Sequence, residues 1–549
     1  MASLNTTTLF LYGPSGAGKT TTGKLLARQL ELPFYDLDSI IEEQSQMTVS
    51  DIFAAEGETG FRQRERTELR MLLADDSGAR LPNTNRGVIA LGGGALLDHE
   101  NRSLVNAHGP VVLLSAPLEV LARRLGEHEN QRPLLVGDFT SNLARLLANR
   151  AGHYASFPLQ LDTTNLSPEL AAWEIQVKLG LFHVQDMATS PAAPGGAYDV
   201  VTQAGCLDNV GELLAQRKQR GSMVVVSDTN TGPLYAPRVV ASLQKAGYSA
   251  YTALIPAGEQ HKTIRTVELL WEAFLANGME RGSTVIALGG GVVSDLAGFA
   301  AATFLRGVPW VVMPTTLLSM ADASLGGKTG ADLPQGKNLI GAFYPPRLVS
   351  ADPDALATLP ESELRSGLAE VVKHGVISDP ALFARCAQLQ GLSFEQLKAA
   401  PLEEIVRRAM AVKIQVIDLD PFEQGRRAVL NFGHTIGHAV ELTSGFRLRH
   451  GEAVAIGMAV ETRLAEQIGL AESGLNETIS GVLRGLGLPV EIPAGMAYEN
   501  ILMAIGTDKK RAGGKVRFAL PVKIGEVREG IVIDDLGRQD VFSAGITRT

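Results

Sequence analysis

The sequence predicts an α/β protein in two successive parts: a phosphate-loop domain, then a Rossmann-like α/β region extended by a helical one. Three observations carry that expectation. Short apolar runs such as Leu9 to Tyr12, Val88 to Leu91, Met223 to Val226 and Val285 to Leu288 alternate with helical stretches, the rhythm of parallel sheets. Glycine-rich turns follow two of these runs, Gly13-Pro14-Ser15-Gly16-Ala17-Gly18-Lys19-Thr20 and Gly289-Gly290-Gly291. After about Leu356 the texture changes to long amphipathic helices.

Length and composition agree with this division. A chain of 549 residues is too long for one ordinary core. Its 45% apolar and 20% charged residues are those of a globular protein. The net charge of −9 argues against nucleic acid or an anionic membrane as main partner, and leaves phosphorylated substrates to local Lys and Arg. Cys206 and Cys386, far apart and without a CxxC, exclude a disulfide scaffold and a thiolate zinc cluster and fit a reducing cytoplasm, the expected location. No apolar stretch reaches a membrane span, and Thr8 to Tyr12 runs straight into the glycine-rich turn, leaving no room for a cleavable leader.

The first element is strand, glycine-rich turn and helix, from Leu9 to about Leu30. Its G-x4-G-K-T spacing lets successive backbone N–H groups curl around phosphate oxygens ahead of a helix N-terminus. Gly13, Gly16, Ala17, Gly18, Lys19, Thr20 and Thr21 form the expected nucleotide-binding set for ATP or GTP, with Lys19 on the β/γ phosphates and the Thr20 hydroxyl on Mg²⁺. Asp36 and Asp38 follow a second strand, then Arg62, then a third strand ending in Gly92-Gly93-Gly94, then Arg132-Pro133-Leu134-Leu135 and Arg150-Ala151-Gly152-His153-Tyr154.

In this order these residues resemble shikimate kinase over roughly residues 5–170. The resemblance implies that Asp38 binds the acceptor hydroxyls and is the candidate base, and that Asp36 supports Mg²⁺. Arg62 and Arg150 would clamp the shikimate carboxylate, Gly93 would let the ring approach the backbone, and Arg132 would sit on a lid near the transferred phosphate and bind ATP. Fixed guanidinium forks suit a small carboxylate, and phosphoryl transfer needs positioned cations more than covalent catalysis. Glu56-Gly57-Glu58 departs from the family's common Asp-Gly-Glu.

Ser190-Pro191-Ala192-Ala193-Pro194-Gly195-Gly196 cannot pack a face and reads as a linker. The expected organisation is 1–175 for the kinase-like domain, 176–197 for the linker, 198–350 for an NAD-binding α/β subdomain and 351–549 for a helical metal- and substrate-binding subdomain. Val88–Gly94 and Val285–Gly291 share the heptapeptide VIALGGG, but their flanks differ, so they read as two independent strand-to-turn units.

In the second part, Met223 to Asn230 is a strand ending in polar residues. Val285 to Leu288 leads into Gly289-Gly290-Gly291, with Ser294-Asp295 opening a helix, a layout compatible with a dinucleotide. His434 and His438 are four apart, and Glu370 and Lys373 three apart, so each pair shares a helix face; His450 opens His450-Gly451-Glu452. Two imidazoles and a carboxylate suit Zn²⁺ with positions left open for substrate oxygens.

Further motifs are Pro256-Ala257-Gly258-Glu259-Gln260-His261-Lys262, GGGVVSDLAG from Gly289, Pro314-Thr315-Thr316-Leu317-Leu318, Gly326-Gly327-Lys328 and Gly336-Lys337-Asn338-Leu339-Ile340-Gly341. With the Glu370 and histidine motifs, these make residues 198–540 similar to 3-dehydroquinate synthase, of the sugar-phosphate cyclase superfamily. The resemblance implies Glu370, His434 and His450 as Zn²⁺ (or Co²⁺) ligands, with His438 as an acid/base and Lys373 as a catalytic residue beside them. It implies Asp228, Asn230, Glu259, Lys262, Gly290, Gly291, Asp295, Thr315, Thr316, Lys328 and Thr358 for NAD. For the phosphate and carboxylate of 3-deoxy-D-arabino-heptulosonate 7-phosphate it implies Arg306, Asp322, Lys328, Lys337, Asn338, Lys373, Lys413, Arg427, Asn431 and Lys509, with Lys510 as the alternative to Lys509. NAD would be regenerated within each turnover, making the enzyme a lyase, and a homodimer through this part is expected.

Pro345 stands where the family commonly has Gln, which keeps another sugar-phosphate cyclase as an alternative substrate class. Two other readings are a non-catalytic half and a simple NAD- and metal-dependent alcohol dehydrogenase, which would accumulate NADH. The leading expectation is one chain with two non-consecutive steps of aromatic precursor synthesis, the cyclisation and the ATP-dependent phosphorylation of shikimate.

Overall fold

The computed structural model describes residues 8–74, 87–126, 139–184, 196–421, 425–507 and 516–533. The chain divides into two compact units, Met1–His183 and Val184–Thr549. No helix among the described residues is long and apolar enough to cross a membrane.

The first unit is built on a parallel sheet of β1 (Leu9–Tyr12), β2 (Phe34–Asp36), β3 (Val88–Ala90), β4 (Val111–Ser115) and β5 (Leu159–Asp162), in the order β2-β3-β1-β4-β5. β1 is central and covered on both faces, so its residues are continuously apolar and fully buried. The chain leaves its C-terminal end through the glycine-rich loop into the helix Lys19–Gln29. Tyr12, Leu37, Phe61, Leu69 and Ile89 share one core cluster with Phe10 beneath that edge.

The larger sheet contains β6 (Leu181–Val184), β7 (Tyr198–Thr202), β8 (Met223–Asp228), β9 (Ala250–Ile255), β10 (Thr284–Gly289), β11 (Trp310–Pro314) and β14 (Leu348–Ala351). Its order is β6-β7-β14-β11-β10-β8-β9. From β8 the chain steps outward to β9, then crosses back to β10 on the other side of β8. The crevice at the carboxyl ends of β8 and β10 is therefore a topological switch point, where such sheets bind ligands. Between β11 and β14 lies an antiparallel hairpin, β12 (Lys328–Leu333) and β13 (Gly336–Phe343).

Past β14 the second unit is mainly helical. The helices Glu361–Ile377, His434–Thr443 and His450–Gln467 meet at backbone distance. A Cβ on Gly457 would lie 1.9 Å from the Gly433 carbonyl oxygen, and one on Gly451 would lie 2.0 Å from that of Ser366. Only glycine allows this approach, and it brings side chains from three helices to one point.

Three features differ from the sequence reading. The start of the expected linker 176–197 is regular structure, the end of helix Pro168–Leu179 and strand β6, and residues 185–195 lie outside the described residues. The helix after β10 begins at Gly291, ahead of Ser294, because Gly290 already serves as its N-cap. The final stretch also holds an antiparallel hairpin, β15 (Arg517–Lys523) and β16 (Glu526–Val532), where only helix was expected. The Gly525 N–H in its turn donates to Val376 O at 2.9 Å, bracing the end of helix Glu361–Ile377.

Gly457→Ala is expected to destabilise the second unit by about 3 kcal/mol, the upper end for overpacking against backbone that cannot shift. Thermal unfolding followed by circular dichroism checks this, and an unchanged midpoint contradicts the contact.

Candidate active sites

In the first unit the loop folds around the lysine. Lys19 Nζ donates to Gly13 O at 2.8 Å and Pro14 O at 3.0 Å. Gly18 precedes the helix in a left-handed conformation with no side-chain cap, so the first-turn N–H groups remain open to an anion. The Thr20 hydroxyl donates to Asp36 Oδ2 at 2.6 Å, which unites the two expected Mg²⁺ residues. Asp36 also caps the helix Leu37–Ser45, accepting the N–H groups of Asp38 at 3.1 Å and Ser39 at 3.4 Å, and thereby places Asp38 in the first turn.

The turn after β3 forms the floor for the expected acceptor site. Gly93 O accepts from Arg150 Nη1 at 2.9 Å and from the Tyr154 hydroxyl at 2.8 Å. A Cβ on Gly94 would sit 2.3 Å from Arg62 Nη2, and one on Gly92 would sit 2.8 Å from Glu65 Oε1 and 3.0 Å from Asp38 Oδ1. Asp38, Arg62, Gly93 and Arg150 therefore gather around one glycine turn. Arg132 lies outside the described residues. The sequence reading missed Glu65, which pairs with Arg62 at 2.7 Å and is fully buried. Burial pushes its carboxyl up to about 7, against the pull of Arg62.

In the second unit Glu370, His434 and His450 converge. His450 Nε2 lies 3.2 Å and His434 Nε2 3.5 Å from the same oxygen, Glu370 Oε1. Their ligand atoms all fall within 4.8 Å of one another. His434 Nδ1 lies 3.2 Å from Phe432 O, so an Nδ1–H tautomer leaves Nε2 free as a ligand. Lys373 forms an ion pair with Glu370 Oε2. Burial alone would raise the Glu370 carboxyl, but Lys373 and the two imidazoles hold it well below the usual range. Burial and Lys373 keep His434 neutral. One anionic oxygen and two imidazole nitrogens in a buried cluster fit Zn²⁺ or Co²⁺. His438, on the same helix face, has its ring 5.0 Å from that of His434 and is exposed on the other side.

Of the expected NAD residues, Asp228, Gly290, Gly291, Thr315 and Thr316 stand at the strand ends around the switch point. Asp228 Oδ1, ending β8, accepts the N–H groups of Asn230 and Thr231, each at 2.8 Å. Next to it, Gly290 and Gly291 open a helix with no side-chain cap, the free N–H end that a pyrophosphate requires. The Thr315 N–H donates to Gly289 O at 3.0 Å, and Thr316 Oγ1 accepts from Ser319 N at 3.1 Å, bringing the end of β11 beside them. Asp295 pairs with Lys262 at 2.5 Å, and Lys262 donates to Asn338 Oδ1 at 2.5 Å. Burial pushes Asp295 up to about 6 despite that partner. Thr358 lies against the Tyr235 hydroxyl at 2.5 Å.

Two of the expected substrate cations, Lys337 and Lys413, pair with acids beside the Glu370, His434 and His450 cluster. Lys337 Nζ lies between Glu441 at 3.0 Å and Glu259 at 3.4 Å. Lys413 pairs with Asp322 at 2.8 Å, and burial lowers its ammonium to about 8, with Arg427 and Lys328 adding to the effect. Arg427, 2% exposed, donates to Pro421 O at 2.6 Å, and Asn431 ends the same short 3₁₀ helix. Arg306 stands apart, exposed in a left-handed conformation, and its guanidinium makes no hydrogen bond or ion pair among the described residues. Lys509 and Lys510 lie outside the described residues.

Three further residues escaped the sequence reading. Glu441 Oε2 lies 3.6 Å from His450 Nδ1; its position seven after His434, on the same helix face, was the available signal. Glu461, fully buried, accepts the N–H groups of Gly433 at 2.7 Å and Ile436 at 3.0 Å, capping the helix of His434 from another helix, which no local pattern announces. His374, fully buried, is held neutral by burial and Lys373, its pKa lowered to about 4.

Residues 252–366 and 367–511 match the family models of the 3-dehydroquinate synthase N-terminal and C-terminal regions, and residues 15–179 match that of shikimate kinase. A 3-dehydroquinate synthase of Synechocystis sp. is 46% identical over 345 residues, covering 62% of this chain and 95% of the relative. The structure of a 2-epi-5-epi-valiolone synthase from Streptomyces hygroscopicus, with NAD⁺ and Zn²⁺ bound, is 31% identical with a TM-score of 0.58, covering 65% of this chain and 97% of that one. A shikimate kinase from Acinetobacter baumannii, in complex with shikimate, is 34% identical over 31% of this chain and 92% of that one, with a TM-score of 0.28.

Glu65 makes the first unit's stability depend on pH. Its folded pKa of about 7 exceeds the ordinary value for glutamate, about 4.3, so the folded state holds the extra proton between them. The stability this confers is complete below about 4.3 and lost as pH rises through 7. The thermal midpoint of the first unit is expected to fall between pH 5 and 8 in the wild type, and to fall less in Glu65→Gln. Equal slopes contradict a buried proton on Glu65.

Proposed function

Given that this chain belongs to the 3-dehydroquinate synthase family and carries a shikimate kinase domain ahead of the synthase part, we propose that it catalyses two reactions. The first unit phosphorylates the 3-hydroxyl of shikimate with ATP. The second converts 3-deoxy-D-arabino-heptulosonate 7-phosphate to 3-dehydroquinate with release of phosphate. The observation that carries the second assignment is the buried Glu370 oxygen faced by the Nε2 atoms of both His434 and His450. A homodimer through the second unit rests on family resemblance.

In the first unit Arg62 and Arg150 fork the substrate carboxylate, and Asp38 accepts the proton of the reacting hydroxyl. Lys19 exchanges its contacts with the Gly13 and Pro14 carbonyls for phosphate oxygens, while Thr20 and Asp36 hold Mg²⁺.

In the second unit Glu370, His434 and His450 would hold Zn²⁺ or Co²⁺, and the β8–β10 crevice would hold NAD. When bound, the metal supplies a Lewis acid for substrate hydroxyls and NAD a temporary acceptor of hydride. The chain's own residues bind and orient around that chemistry. Lys328, Lys337, Lys413 and Arg427 supply the positive charge that a substrate with both phosphate and carboxylate needs. Lys373 neutralises the inner oxygen of Glu370, and His438, at the edge of the cluster, takes and returns substrate protons. A different sugar phosphate is the runner-up, since the 31% identical neighbour is a 2-epi-5-epi-valiolone synthase. The higher identity to a 3-dehydroquinate synthase, 46%, favours the heptulosonate.

The test is 3-dehydroquinate formation by the full chain with NAD, before and after a zinc-selective chelator, with shikimate phosphorylation followed in parallel. Cyclisation is expected to vanish with chelator and return with Zn²⁺, while phosphorylation with Mg²⁺ persists. No cyclisation from protein that still phosphorylates shikimate assigns the second unit to another sugar phosphate or to a silent role.

A further inference from the structure

Glu441 stands where the metal ligands meet the substrate cations. It lies on helix His434–Thr443, on the face of His434 and His438, and is buried. One carboxylate oxygen, Oε1, accepts from Lys337 Nζ at 3.0 Å, and the other, Oε2, lies 3.6 Å from His450 Nδ1. The opposite nitrogen of the same ring, Nε2, faces Glu370 Oε1 at 3.2 Å.

The two histidines differ in how they are held. His434 is buried, and the Phe432 carbonyl faces its Nδ1. His450 is the first residue of its helix and its side chain is 32% exposed, so packing leaves its ring freer to turn. Among the described residues, the group facing His450 Nδ1 is the carboxylate of Glu441. A ligating imidazole needs its second nitrogen tied down, because that partner selects the tautomer and the ring orientation.

We propose that Glu441 is a positioning residue that fixes His450 with Nδ1–H toward its own carboxylate and Nε2 toward the metal, while holding Lys337 ready for a substrate anion. This rests on the reading of Glu370, His434 and His450 as the metal ligands. His438, Glu441 and His450 also bring ligand atoms within 4.8 Å of one another, a geometry open to a second cation. The Lys337 ammonium on Glu441 opposes a metal ion there and favours the positioning role.

Zinc affinity of the full chain, measured by competition with a chromophoric chelator, separates the possibilities without any turnover. Glu441→Gln keeps the shape but loses the charge, and is expected to weaken Zn²⁺ binding by about 10- to 100-fold, as loss of a ligand-orienting carboxylate does. Lys337→Met leaves the Glu441–His450 contact in place; its zinc affinity is expected to stay within about threefold of wild type while the KM for the cyclisation substrate rises. Glu441→Asp, which retains the charge, is expected to lose less zinc affinity than the glutamine variant and serves if that variant fails to fold. Unchanged zinc affinity in Glu441→Gln, or an equal loss in Lys337→Met, overturns the proposal. So does a second zinc per wild-type chain that disappears in Glu441→Gln. A wild-type chain that binds no zinc removes the metal-centre reading and the proposal with it, whereas zinc bound equally by wild type and Glu441→Gln removes the proposal alone.

Discussion

An ionised carboxylate with no exposed surface, that of Glu370, sets the terms for the second unit. A buried charge of this kind costs several kcal/mol unless cations and hydrogen-bond donors surround it. Lys373 comes from the next turn of the same helix, and His434 and His450 come from two other helices. Meeting that demand needs three helix backbones closer than ordinary side chains permit. Gly451 against Ser366 and Gly457 against Gly433 provide the approach, and Glu461 then caps the helix that carries His434. Charge compensation, helix packing and ligand placement are therefore one constraint. A larger residue at Gly451 or Gly457 would therefore displace the backbone beside His450 or His434 and move an imidazole.

The same logic recurs in the first unit on a smaller scale. Glu65 is buried against Arg62, and the glycine turn after β3 leaves room for the guanidinium where a Cβ would collide with it. Arg62 also reaches Glu58, so both of its carboxylate partners come from its own helix. Both units thus keep the cations of their candidate sites paired internally with acidic side chains, as Lys337 is with Glu441 and Glu259 and Lys413 is with Asp322.

Much of this was legible in the chain because the relevant groups are close in sequence. The loop from Gly13 to Thr20, the Glu370–Lys373 pair and the His434–His438 pair each lie within one local element, so spacing alone places them on a common face. The strand ends at Asp228 and Gly289 follow from apolar runs that stop at polar or glycine residues. Contacts between elements were not legible. Glu461 caps a helix through Ile436, 25 residues earlier in sequence, with no pattern linking the two. Glu441 was within reach of the helical repeat, but its significance depends on His450 arriving from the next helix. The hairpin β15–β16 carries its turn signal at Gly525 in a left-handed conformation, yet the helical texture before it masked the change of period. Arg306 shows the opposite case, a residue implied by resemblance whose side chain the fold leaves in solvent.

X-ray absorption at the zinc edge of the zinc-loaded full chain tests most directly whether this buried carboxylate and its two imidazoles form a metal centre. The geometry predicts a first shell of nitrogen and oxygen at about 2.0–2.2 Å, with the scattering of two imidazole rings. It also predicts that Glu370→Gln alters or empties that shell. Sulfur scattering near 2.3 Å, or a spectrum unchanged by Glu370→Gln, would place the metal elsewhere and contradict the account.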